Sequence, residues 1–228
     1  MKLYKSKIGS LKDTSLENTV DDIMTWSLNY FKDDLKKRPS LHKYVQNLPE
    51  EGQQLINKIG DSKIMISKVC EEFKNCNLTR IKSIDEIYIS HVNKDNGGDQ
   101  GLFDKHYDGT LRFINDAKVV RLLMYISSSG KLKVVFNDSK IKHNFKTYEY
   151  ALLDFHNEYH WVEGSYDEND TPRIVLKLNY YICNDCSYLY SKFILYLNII
   201  VFKIVKIAMN ASISPKTSVE KIIGWNCN

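Results

Sequence analysis

HYDGTLRFINDAKVVRLLMYIS (residues 106–127) and EYHWVEGSYDENDTPRIVLKLNYYI (residues 158–182) are the two runs on which the fold turns. The first opens with His106-Tyr-Asp108. Side chains two apart on an extended segment leave from the same face, so an imidazole and a carboxylate are offered to one point. His160, in the second run, supplies another imidazole. Two histidines and one carboxylate are the donor set that holds a non-haem Fe(II) while leaving coordination positions open. Arg173 then begins an alternating run, and an inward guanidinium on such a strand is what an acidic cosubstrate would need.

Four points in order, His106-x-Asp108, the strand RLLMYIS (residues 121–127), His160 and Arg173, resemble the 2-oxoglutarate- and Fe(II)-dependent dioxygenases, and among them the prolyl-hydroxylase-like branch. The resemblance covers roughly residues 87–182, a little under half of the chain. It implies a mainly β fold with helical additions (α+β), a double-stranded β-helix or jelly-roll core packed by N-terminal helices. It implies iron held by His106, Asp108 and His160, 2-oxoglutarate chelating that iron, and the far carboxylate of 2-oxoglutarate paired with Arg173. Tyr125 falls where the family often has a hydroxyl near the same carboxylate, although a core or edge tyrosine explains it as well. Lys177 is a second candidate anchor, since some relatives use lysine. It stands where an apolar or small residue is expected, which leaves the pocket floor open. His156 competes with His160 for the distal position, and Trp-Val-Glu after His160 favours His160 as in the resembled motif. Arg121 is read either at the pocket mouth or as a solvated side chain, and Arg173 has a surface salt bridge as its plainer alternative.

Composition bounds the remainder. The chain of 228 residues, 43% hydrophobic, is long enough for one packed core with additions. A net charge of +4, from 32 basic and 28 acidic residues, is too mild for the concentrated basic face of a nucleic-acid binder. Five cysteines, an odd number, and a start of MKLYKSK without an apolar run speak against a secreted disulfide scaffold. The expectation is reduced thiols and an intracellular, cytoplasmic protein. Cys183-x-x-Cys186 lacks a second pair at zinc spacing and reads as two incidental thiols. Asn77-Leu-Thr79 fits a glycosylation sequon of a kind that arises by chance.

Along the chain, Val20, Ile23, Ser27, Leu28, Phe31 and Leu35 recur at helical spacing and predict a helix from Thr19 to Lys37, with Thr19 as its cap and Pro39 stopping it. A short helix is expected over residues 41–47 and another over residues 61–73. From residue 80 the period changes to two, and strands are expected near residues 84–91, 119–126, 132–136, 148–155 and 173–182, separated by turn residues. His160 is expected in the loop after the strand that ends at Phe155. NKDNGGDQG (residues 93–101) is either a mobile loop closing over substrate or a plain hairpin. The domain reading is 1–80 helical support, 81–183 catalytic β domain, and 184–228 a C-terminal amphipathic helix and tail. In SKFILYLNIIVFKIVKI (residues 191–207) the polar positions share an arc of about 140°. Its apolar runs fall short of the roughly 20 residues of a membrane span. Packing on the domain, pairing with a second copy, peripheral contact with a membrane surface, and an aberrant extension all remain open for it.

The expected function is an Fe(II)- and 2-oxoglutarate-dependent dioxygenase, with O2 as co-reactant and ascorbate as an optional addition. A protein or peptide side chain, proline foremost, is the expected substrate. Two rivals stay in view: an oxygenase of a small molecule or nucleic-acid base, and a catalytically silent β-barrel used for binding.

Overall fold

The structure, a computed structural model, describes residues 5–71, 76–91, 103–108, 118–128, 131–166 and 170–184, with Leu189, Tyr190, Phe193, Tyr196, Leu197 and Ile200 beyond them. It is mostly antiparallel sheet with a few helices, consistent with a jelly-roll. The spine is the pair β5 (Lys118–Ser127) and β10 (Arg173–Asn184), hydrogen-bonded over most of their length. On the far side of β5 lies β8 (Glu149–Asp154), and β1 (Lys7–Ser10) closes that edge. On the far side of β10, β4 (Glu86–Ser90) pairs with its first half and β3 (Cys76–Arg80) with its second, and β2 (Ser40–Tyr44) lies outside β4. A smaller sheet of β7 (Ile141–His143), β6 (Lys133–Phe136) and β9 (His160–Glu163) faces this seven-stranded one. All these pairs are antiparallel.

The alternation of β10 sorts the molecule into two layers. Ile174, Leu176, Leu178 and Tyr180 point to one side, where they form a single core with residues of α1 (Glu17–Tyr30), α3 (Glu50–Gly60) and α4 (Lys63–Cys70). Val175 points to the other side and packs with Leu123, Tyr125, Val134, Phe136 and Val162 between the two sheets. Arg173, Lys177 and Asn179 share the parity of Val175, so the same strand that buries the helices delivers polar groups to the interior. Each fully buried aliphatic side chain in these layers contributes roughly 1.5–3 kcal/mol, which is what holds the helices on the sheet.

Local chemistry explains where the helices differ from expectation. α1 begins at Glu17, before Thr19, because Thr14 organises the preceding turn, donating its hydroxyl to the Leu11 carbonyl and accepting from the Leu16 amide. It also ends early: Phe31, fully buried, interrupts it, and a four-residue α2 (Lys32–Leu35) follows. Ser62 caps α4 by accepting from the Met65 amide. α3 was not expected, since Gly52 and Gly60 weaken its pattern. Gly52 is needed there because a Cβ would lie 2.3 Å from the Trp26 ring. The helix expected over residues 41–47 is instead β2 and a 3-10 turn, Val45–Asn47. Pairing of Leu41 opposite Ile89 overrides its local preference. β1, β2 and β3 all precede residue 81, so the first segment supplies strands as well as helices.

Residues 93–101 lie outside the described residues, as do Cys186 and most of residues 191–207. Among the described residues no helix is long and apolar enough to cross a membrane. Gly164, which ends β9, has φ +119 and an added Cβ would meet the Lys131 carbonyl oxygen at 2.2 Å. Gly164→Ala should therefore lower stability by about 2 kcal/mol, seen as a lower urea midpoint with unchanged slope. An unchanged midpoint would mean that this turn is free to rearrange.

Candidate active site

His106 and His160 are brought together by the backbone itself. Their amides and carbonyls exchange two hydrogen bonds of 3.0 Å, joining the segment before β5 to the first residue of β9. His160 thus opens a strand and does not sit in the loop where it was expected. The turn before it is held by Glu158, buried, whose carboxylate accepts from the amides of Asp138 and Ser139 and from the hydroxyl of Ser6 at 2.8 Å.

Each histidine presents the same nitrogen inward. His106 Nδ1 lies 2.8 Å from the Asp104 carbonyl and His160 Nδ1 lies 3.0 Å from the Glu158 carbonyl. A carbonyl only accepts, so each Nδ1 carries a proton, and in the neutral ring each Nε2 keeps its lone pair. Those two Nε2 atoms stand 3.7 Å and 3.6 Å from the oxygens of Asp108, and the ligand atoms of the three residues lie within 4.8 Å of one another. Asp108 Oδ2 is buried and has no hydrogen-bond partner. An orphaned carboxylate oxygen beside two unprotonated imidazole nitrogens fits a divalent transition metal.

Electrostatics hold Asp108 and His160 in ligating form. Burial pushes the Asp108 carboxyl up, but Arg121, then Lys177 and the two histidines, outweigh it and keep it well below the usual carboxylate range. Burial lowers His160 to about 4 against the opposing pull of Asp108, so its imidazole is neutral at pH 7. In metal-free protein the unfolded chain binds a proton near pH 6.5 that the folded chain resists down to about 4. Stability should therefore be fully present above that window and fall by about 3 kcal/mol as pH drops through it. Urea midpoints measured in chelator at pH 7 and pH 4.5 check this, and His160→Gln should remove that part of the slope.

Arg173 occupies a different place on β10. It is 5% exposed, and its Nη2 donates to the Tyr125 hydroxyl at 3.4 Å. Its guanidinium lies 5.3 Å from the Tyr125 ring centroid and 5.9 Å from that of Tyr88. Tyr166, which donates to Ser90, and Tyr88 also bring hydroxyls near its charge. Among the described ion pairs none includes Arg173. Tyr125 is fixed in turn by parallel stacking on Phe145 at 4.1 Å, and burial raises its hydroxyl, which stays protonated. A buried guanidinium ringed by tyrosines can accept a carboxylate from outside.

Lys177 lies on the same face of β10 as Arg173, about 13 Å along the strand at the usual rise. Its Nζ is 3.7 Å from Asp108 Oδ1 and 4.0 Å from Glu86 Oε2. The structure thus places Lys177 beside Asp108, and Tyr125 beside Arg173. His156 is not part of the cluster and packs edge-on against Phe155. His42 and His143 pair with Glu86 and Glu149, each at 2.9 Å. Three groups escaped sequence reading: Glu86, buried among cations, and Tyr88 and Tyr166 around Arg173. Alternation on β4 puts Glu86 and Tyr88 on one face, and a charge on that face of a central strand was the available signal.

No family model matches the chain, and no curated protein matches it. Solved structures do. A non-haem alpha-ketoglutarate-dependent carbocyclase, SnoK, from nogalamycin biosynthesis superposes with TM-score 0.53 at 9% identity, over 77% of this chain and 79% of its own. AviO1 from Streptomyces viridochromogenes gives TM-score 0.52 at 7% identity, over 81% and 92%. The viral collagen prolyl hydroxylase of Paramecium bursaria Chlorella virus-1 gives 0.47 at 12%, over 80% and 97%. What this chain shares with SnoK and AviO1 is the fold; prolyl hydroxylases are among the other solved structures that it is similar to.

Proposed function

We propose that the chain is an Fe(II)- and 2-oxoglutarate-dependent dioxygenase built on a double-stranded β-helix. The observation that carries this reading is the convergence of His106 Nε2, His160 Nε2 and the orphaned Asp108 Oδ2, with a buried Arg173 deeper on the same inner face. His106, Asp108 and His160 would hold the iron. Arg173, with Tyr125, would grip the distal carboxylate of 2-oxoglutarate by charge-assisted hydrogen bonds. When bound, iron and 2-oxoglutarate supply oxidative decarboxylation with O2, giving succinate and CO2 and placing one oxygen atom on a substrate C–H bond. The chain's own part is to fix the imidazole tautomers, keep Asp108 ionised, exclude water and orient 2-oxoglutarate. Ascorbate enters as an optional addition. Residues 1–80, 81–183 and 184–228 act in this reading as support, catalytic domain and tail.

The preferred substrate is a protein or peptide side chain, proline foremost, in an intracellular setting. The resemblance of the four motif points to the prolyl-hydroxylase-like branch supports it. Likeness to the carbocyclase favours a second reading, oxidation of a small molecule. Succinate formation from 2-oxoglutarate separates them. Stimulation above the uncoupled rate by proline-containing peptides supports the first reading, and stimulation by small cyclic molecules alone supports the second. No turnover in a protein that binds both iron and 2-oxoglutarate would return it to a binding module.

A further inference from the structure

Arg121 sits on the inner face of β5, directly opposite Asn179 of β10, and is only 3% exposed. Its Nε donates to Asn179 Oδ1 at 2.9 Å, its Nη1 lies 3.1 Å from Asp108 Oδ1 and 3.6 Å from Glu86 Oε2, and its guanidinium covers the Phe155 ring at 4.4 Å. Asn179 cannot turn away: its side-chain nitrogen donates to the Ile84 carbonyl at 2.7 Å, and its backbone amide donates to Asp85, which Arg80 pins at 2.7 Å. The guanidinium is therefore fixed from behind by a chain of buried polar groups that reaches across three strands.

The two oxygens of Asp108 are left unequal. Oδ1 is engaged by Arg121 at 3.1 Å, with Lys177 and His106 Nε2 further off at 3.7 Å each, whereas Oδ2 has no hydrogen-bond partner and faces His160. A carboxylate free to rotate can offer a metal both oxygens. One whose first oxygen is engaged by an immobile guanidinium offers only the second. We propose that Arg121, locked by Asn179, is a positioning residue that occupies Asp108 Oδ1 and makes the carboxylate bind a metal through Oδ2 alone. Single-oxygen binding leaves open the coordination position that a chelating cosubstrate must take. Glu86 balances the charge of Arg121, so the guanidinium can remain buried when the metal brings further positive charge. The inference rests on the proposed metal site and extends it to the residue behind that site.

The test is the infrared difference spectrum of full-length protein, Mn(II)-loaded minus metal-free, which reads the gap between the antisymmetric and symmetric carboxylate stretches. A wide gap marks one-oxygen binding and a narrow gap marks two. The wild type should show the wide gap. Arg121→Met should show the narrow one and should need at least about 10-fold more 2-oxoglutarate to saturate binding to the metal-loaded protein. Because Arg121→Met leaves Glu86 buried without its main partner, the double variant Glu86→Gln/Arg121→Met provides a folded counterpart with the same expected narrowing. A wide gap in both folded variants overturns the role of Arg121. Failure of the proposed metal site looks different: the wild type then gives no metal-dependent carboxylate bands, and Asp108→Asn leaves the spectrum unchanged.

Discussion

His160→Ala should lower Mn(II) or Fe(II) affinity by at least about 100-fold in a chain that still folds. The size follows from the geometry. A first ligand is lost outright, and the remaining pair, His106 and Asp108, belongs to one short segment that β9 no longer steadies through a donor atom. The backbone exchange between residues 106 and 160 does not involve the side chain, so the two segments stay joined and the loss falls on binding. Stability should move the other way at low pH, because the variant no longer carries an imidazole whose protonation burial opposes. Equilibrium dialysis against Mn(II), with circular dichroism as the check on folding, reads both effects. Retained affinity would mean that another group takes the third position. His156 is the nearest in sequence, and its packing on Phe155 argues against it.

The second large effect concerns Arg173. Arg173→Met should weaken 2-oxoglutarate binding by about 2–5 kcal/mol, or roughly 30-fold to several thousand-fold, with metal affinity nearly unchanged. The guanidinium is buried against tyrosine rings and hydroxyls, and low dielectric around it makes an incoming carboxylate worth more than it would be at a surface. Lys177 cannot substitute, since it is engaged with Asp108 and Glu86 at the other end of the inner face. Tyr125→Phe, which keeps the stacking on Phe145 and removes one hydroxyl, should cost about 1 kcal/mol. Titration of 2-oxoglutarate into Mn(II)-loaded protein by calorimetry separates the two variants. Equal weakening of metal and 2-oxoglutarate in Arg173→Met would point to general damage and not to a lost anchor.

The parts legible in the sequence are those set by short-range pattern. His106-x-Asp108 declares itself within three residues, and the alternation of β10 places Arg173 inward with Lys177 and Asn179 and sends Leu176 and Leu178 to the helices. The strands over residues 119–126, 132–136, 148–155 and 173–182 all lie where short apolar or alternating runs between turn residues put them. What escaped depends on partners distant in the chain. Leu41 to Tyr44 forms a strand because β4 offers it an edge, and nothing within those residues says so. Glu86, Arg121, Asn179 and Asp85 make one buried network from three strands and a turn, and although parity turns Asn179 inward and Arg121 is read at the pocket mouth or in solvent, nothing within any one strand says that the four meet. Lys177 could be placed on the correct face by parity. Whether it sits beside Arg173 or beside Asp108 and Glu86 depends on its distance along that face, which the alternation of types does not encode.

The most direct test of the central claim is anaerobic addition of Fe(II) and 2-oxoglutarate with the visible absorbance recorded. A charge-transfer band should appear only when both are present, persist without any substrate, and vanish in His160→Ala. Absence of the band in folded wild-type protein, or its survival unchanged in that variant, would contradict the assignment of His106, Asp108 and His160 as the iron ligands.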